Sequence, residues 1–162
     1  MESQIKDKSL ANQGRLNIEL AERNMGALLK VKERFESEKP FNGLKIGLAL
    51  HVTKETAVLV KTLRAGGANV AITGCNPLST QDDVAAALAE EANVLVFGHK
   101  GESQEDYYKF LNNVIEFDPD ITIDDGCDLV TEITTKHPEK CQKLIGGCEE
   151  PTTGVIRLKS ME

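Results

Sequence analysis

The chain has 162 residues and a formal net charge of −7, a length suited to one domain with a real core. With no basic run to offset it, that acidic balance argues against a nucleic-acid or anionic-membrane partner. No apolar run is long enough for a membrane span or a signal-peptide core, and the polar start from Met1 to Gly14 points to a cytoplasmic protein.

Residues 9–37 read as helical. Ile18, Ala21, Met25, Leu28, Leu29 and Phe35 recur on one face, while Glu19, Glu22, Arg23, Lys30 and Lys32 fall mostly elsewhere, with Gly26 as a break or kink. This stretch is expected to pack and to carry no chemistry. Pro40 and Gly43 then separate a helical region, 1–40, from an α/β core, 41–155.

The core opens with a strand at Lys45–Leu50, whose apolar run Ile46–Leu50 is short enough to be buried on both faces. His51 ends it, Thr53, Glu55 and Thr56 follow, and the period becomes helical through Ala57, Val58, Val60 and Leu63 to the stop at Gly66-Gly67. A second strand, Asn69–Thr73, ends in Gly74-Cys75-Asn76-Pro77, and Ser79 or Thr80 offers a cap for a helix through Ala89. The third strand, Val94–Phe97, leads through Gly98 and His99 to a helix opened by Ser103 and Asp106 and running to about Glu116. The fourth, Ile121–Ile123, ends in Asp124-Asp125-Gly126, before a helix over Asp128 to about Thr135. The fifth is placed at Lys143–Ile145, ahead of Gly146-Gly147-Cys148-Glu149-Glu150. Strands alternating with short helices predict a three-layer α/β/α domain around a five-stranded parallel sheet, with an N-terminal helical extension.

His51, Asn76, Asp124, Asp125, Glu149 and Glu150 all fall at strand carboxyl ends, the edge where open α/β sheets bind ligands. Each has a plainer reading alone: Asp124 and Asp125 as turn residues before Gly126, Glu149 and Glu150 as solvated side chains. His51 is harder to dismiss, because it directly ends a buried strand. His99 and His137 look less pointed. Carboxylates around a histidine suit acid–base work or hydroxyl recognition. The absence of GxGxxG or Walker spacing and the scarcity of basic residues favour a small neutral or cationic polyhydroxylated ligand over a phosphate. Cys75, Cys127, Cys141 and Cys148 form no CxxC pair and are expected to be reduced thiols, with no metal site.

Several runs go further. His51-Val52-Thr53 with Glu55-Thr56-Ala57-Val58-Leu59, the unbroken Asn76-Pro77-Leu78-Ser79-Thr80-Gln81-Asp82-Asp83-Val84, then Ile123-Asp124-Asp125-Gly126, Glu149-Glu150 and Thr152-Thr153-Gly154-Val155 resemble, in order, the amino-terminal substrate-binding part of the S-adenosylhomocysteine hydrolases (adenosylhomocysteinases) of one-carbon metabolism. The resemblance implies reversible hydrolysis of S-adenosylhomocysteine to adenosine and homocysteine, with NAD oxidising the ribose 3′-hydroxyl so that the neighbouring carbon becomes acidic. It implies that His51 and Asp125 are catalytic, that Thr53 and Glu55 meet the adenine, that Glu150 holds a ribose hydroxyl and that Thr152 and Thr153 touch NAD. It also implies a flavodoxin-like strand order, 2-1-3-4-5, with His51 and Asp125 two strands apart (roughly 10 Å) and a ribose between them over Gly98.

Two residues depart from the family pattern: Cys127 stands where a glycine is usual, and Pro151 where a threonine is. The chain stops at Glu162, so the whole of 1–162 is expected to be a substrate-binding domain without the Rossmann NAD-binding domain. On that reading the chain alone is inactive and holds no NAD tightly. Its partners would be adenosine or S-adenosylhomocysteine, a separate NAD-binding half and a second copy of itself. Its strand-end carboxylates would lie in an open, solvated groove with near-ordinary pKa values. The alternative is a stand-alone, non-catalytic nucleoside-binding or regulatory homologue.

Overall fold

The computed structural model describes residues 1–162. Five parallel strands form the sheet: β1 (Lys45–Ala49), β2 (Asn69–Thr73), β3 (Val94–Phe97), β4 (Ile121–Asp124) and β5 (Gly146–Glu149). Helices α3 (Lys54–Ala65) and α4 (Asp82–Ala89) cover one face, packing Val58, Val84 and Leu88 against Ile46, Leu48, Val70 and Ile72. Helices α5 (Gln104–Glu116) and α6 (Asp128–Lys136) cover the other with Phe110, Leu111, Val114 and Ile133 over Ala49, Ala71 and Phe97. Consecutive side chains of a strand point to opposite faces, so a strand covered on both sides must be apolar throughout, as Ile46 to Ala49 and Val70 to Ile72 are. The expected three-layer parallel architecture is therefore present.

The strand order is β3-β2-β1-β4-β5, not the expected 2-1-3-4-5. β2 sits beside β1 in both orders; the crossover through α5 carries the chain back past β3 and β2, so that β4 and not β3 pairs with the other side of β1. β2 is thus an inner strand and β3 an outer one. The outer side of β3 is covered by the N-terminal segment, where Gln4 accepts from the Gly98 N–H and donates to Val96. The order reverses between β1 and β4, and a crevice opens at such a point because the following connections leave on opposite faces.

The N-terminal stretch forms two helices, α1 (Ala11–Glu22) and α2 (Gly26–Glu38), broken over residues 23–25. Ile18 and Ala21 are buried against the α3 and α4 layer. Gly14 allows the approach: a Cβ there would lie 1.9 Å from the Asp83 carbonyl oxygen. Two polar contacts fix the docking, Asn17 to Asp83 at 2.6 Å and Lys61 to Glu22 at 2.6 Å. α4 starts after Gln81 without a side-chain cap, so neither Ser79 nor Thr80 plays the expected part.

The fifth strand lies at Gly146–Glu149, one turn of sequence beyond the apolar segment Lys143–Ile145 that was expected to form it. As an edge strand it needs no apolar run, and Ile145 is 70% exposed. Gly147 crosses so close to Thr122 that a Cβ would sit 2.7 Å from its hydroxyl. α7 (Thr152–Met161) follows and is tied back through Arg157, which donates to Asp128 at 2.8 Å and to the Gly126 carbonyl.

Candidate functional site

At the β1–β4 seam the backbone itself positions the side chains. The Asp125 N–H donates to the Ala49 carbonyl at 3.0 Å, the last residue of β1, and the Glu150 N–H donates to the Asp124 carbonyl at 2.9 Å. These bonds place the residues just beyond β1, β4 and β5 side by side. His51 Nε2 lies 3.4 Å from Asp125 Oδ2, in place of the two-strand separation expected from the other strand order. Gly98 belongs to the far side of the sheet and does not lie between them.

Thr53 caps α3, its hydroxyl accepting from the Thr56 N–H at 3.4 Å, so the positive end of the α3 dipole faces the same space. That space is a cleft of about 700 Å³. His51, Thr53, Glu55, Asp125 and Glu150 line its polar side. Met25, Leu28, Leu50 and Leu59 line the other, so the N-terminal helical region does contribute to the site, contrary to the reading of it as packing alone. An apolar wall opposite a few convergent polar groups is the usual make-up of a small-molecule pocket. Thr152 and Thr153 lie outside it, exposed on the first turn of α7. Pro151 precedes them at the α7 N-cap and supplies no side-chain cap.

Asp124 departs from the expected solvated groove. It is fully buried, its two oxygens accepting separately from the Asp125 and Val130 N–H groups at 3.0 Å each. Burial pushes its pKa up to about 6, the nearby Glu149 adds to the rise, and the two N–H donors oppose it. Glu149 is structural as well, with Oε1 accepting from the Gly126 N–H at 2.7 Å. Asn76 caps its own turn by accepting from the Leu78 N–H and does not line the cleft.

Cys75 was placed at a strand end but not joined to the site by sequence. Its Sγ donates to Asp125 Oδ2 at 3.5 Å, the same oxygen that His51 approaches. Burial first, and the Asp125 carboxylate next, push this thiol well above the usual cysteine range, so it stays protonated. Tyr107 supports the loop from beneath, donating to Asp128 at 2.9 Å and reaching the Cys75 carbonyl at 3.4 Å.

A doubly wound α/β domain with a carboxylate–histidine cleft at its switch point has the make-up of a domain that binds a small molecule. Comparison with known proteins narrows this. The family model described as S-adenosyl-L-homocysteine hydrolase matches residues 2–140. An adenosylhomocysteinase of Sulfurisphaera tokodaii is 55% identical over 162 residues, and an S-inosyl-L-homocysteine hydrolase of Methanococcus maripaludis is 54% identical over 159, covering 100% and 98% of this chain. An adenosylhomocysteinase of Aquifex aeolicus is 53% identical over 99% of it. The chain belongs to the S-adenosyl-L-homocysteine hydrolase family. It spans about 38% of the length of these relatives.

Proposed function

We propose that this chain is the nucleoside-binding part of a hydrolase acting on S-adenosylhomocysteine or a close purine analogue. The observation that carries the reading is the convergence of His51, Thr53, Glu55, Asp125 and Glu150, residues far apart in sequence, on one cleft with an apolar wall. A purine would lie against Met25, Leu28 and Leu59, with Thr53 and Glu55 at its polar edge. Glu150 would accept from a ribose hydroxyl. Relatives named for both S-adenosyl and S-inosyl substrates leave the purine as the class.

In thioether hydrolysis the departing sulfur gains a proton and the entering water loses one. His51 and Asp125, 3.4 Å apart, can hold and return that proton in turn at Nε2 and Oδ2. The NAD of the complete enzyme supplies the redox chemistry at the ribose. This chain's residues fit an edge contact with it and no more: Thr152 and Thr153 offer exposed hydroxyls, and no glycine-rich phosphate loop follows any strand. Exposed Ile145 and Ile156, 70% and 62% accessible, support self-association of the chain.

Calorimetric titration of residues 1–162 with adenosine and with inosine tests the reading. Binding no tighter than about millimolar is expected, since an open cleft buries little of its ligand. Glu150→Gln is expected to weaken it roughly tenfold, about 1.4 kcal/mol. Homocysteine release from S-adenosylhomocysteine by residues 1–162 with NAD added is expected to be undetectable. No heat from either nucleoside up to its solubility limit would refute the assignment.

A further inference from the structure

We propose that His51 Nε2, Cys75 Sγ and Asp125 Oδ2 form a three-ligand site for a borderline-soft divalent cation of the zinc type, and that its occupation excludes nucleoside. The three atoms all lie within 4.8 Å of one another. Zinc holds nitrogen and oxygen at about 2.0–2.2 Å and thiolate at about 2.3 Å, so a tetrahedral site places N and O about 3.4 Å apart and S and O about 3.6 Å apart. Two edges of the triangle measure 3.4 Å for His51 to Asp125 and 3.5 Å for Cys75 to Asp125. Two edges of a tetrahedral site are thus already present. The third closes by rotation of the His51 side chain, which is 47% exposed and free to turn.

The ligand set also selects among metals. One thiolate, one imidazole and one carboxylate suit zinc and its neighbours, and disfavour magnesium and calcium, which take oxygen alone. Cys75 gives up its thiol proton to water as the sulfur–metal bond forms. His51 coordinates through a neutral ring nitrogen. Three protein ligands leave a fourth position, which opens onto the cleft that His51 and Asp125 line. Because the metal takes the lone pairs of these two residues, it competes with the proton chemistry assigned to them. This second part rests on the proposed function; the metal site itself does not.

Cobalt(II) is the probe, added to the reduced, metal-free chain. The expected result is a near-ultraviolet thiolate-to-cobalt charge-transfer band with tetrahedral visible bands, saturating at one equivalent and abolished by zinc. The band is expected to vanish in Cys75→Ser, which keeps a hydroxyl for Asp125, and to persist in Cys141→Ser and Cys148→Ser. Should Cys75→Ser fail to fold, His51→Ala serves instead, with cobalt affinity expected to fall at least tenfold. A band that survives Cys75→Ser, an unchanged affinity in His51→Ala, or no band up to millimolar cobalt would overturn the site. Zinc saturation is expected to weaken adenosine binding at least tenfold, and undiminished binding would overturn the exclusion. If adenosine fails to bind the metal-free chain, the proposed function falls while the cobalt spectra still decide the metal site.

Discussion

Asp124 is a carboxyl group that the fold both needs and strains. Its carboxylate oxygens accept from two backbone N–H groups and so hold the turn that aims Asp125, yet its burial makes ionisation costly. With a folded pKa near 6 against an ordinary 3.8, the native state binds a proton that the unfolded chain releases in that window. Its contribution to stability is therefore complete below about pH 4 and is lost as pH rises through 6, amounting to up to about 3 kcal/mol. Urea unfolding at pH 4 to 7 is expected to show this fall in the wild type and to lack it in Asp124→Asn. That variant should also be less stable by roughly 1–3 kcal/mol at pH 7, because its amide presents a donor to one of two backbone donors. An identical pH slope in the variant would place the proton elsewhere. That His51, Asp125 and Glu150 would gather at one edge was legible because polar side chains ending apolar strands share an edge in any parallel sheet. Asp124 was legible as a member of that edge but not as its buried support, since alternation along a short strand does not say which of two adjacent acids turns inward.

At the scale of elements, the junction between β4 and α6 passes through left-handed backbone at both Gly126 and Cys127. Cys127 occupies the N-cap position of α6 without a side-chain cap, at φ 68° and ψ 17°, left-handed backbone that an ordinary side chain adopts at a cost of about 1 kcal/mol or more. Its sulfur is nonetheless fully buried, which explains how a cysteine persists where glycine is usual in the family. Truncation to alanine is expected to lose the buried sulfur and keep the strain. Cys127→Gly should then be at least as stable as Cys127→Ala in urea unfolding, the reverse of the order at ordinary positions, and a clear advantage for alanine would contradict this. The sequence announced that junction through its departure from the family pattern. It did not announce β5, because Gly146-Gly147-Cys148-Glu149 owes its extended form to pairing with β4 and not to its own apolarity. Nor did it announce that Met25 and Leu28 wall the cleft: helical periodicity marks an apolar face without naming what lies opposite.

For the whole molecule, the strand order matters more than any single contact. Helix and strand existence follow from local pattern, but whether β3 or β4 takes the second side of β1 is a long-range choice, made together with the N-terminal segment covering the outer edge of β3. No local pattern encodes that. The reversal at β1 also imposes a schedule on assembly. β1, β2 and β3 meet through short crossovers, whereas β4 must find Ile46 to Ala49 about 75 residues back, Ile46 pairing with Ile121. Loop closure over the longer span costs more and is rewarded later. Mutations such as Val70→Ala are therefore expected to slow refolding, while Ile123→Val mainly speeds unfolding, in stopped-flow chevrons. The reverse ranking would mean that β4 docks early. On this order His51 spends the folding reaction as the loose end of a half-built sheet, and recognition becomes the last property the chain acquires.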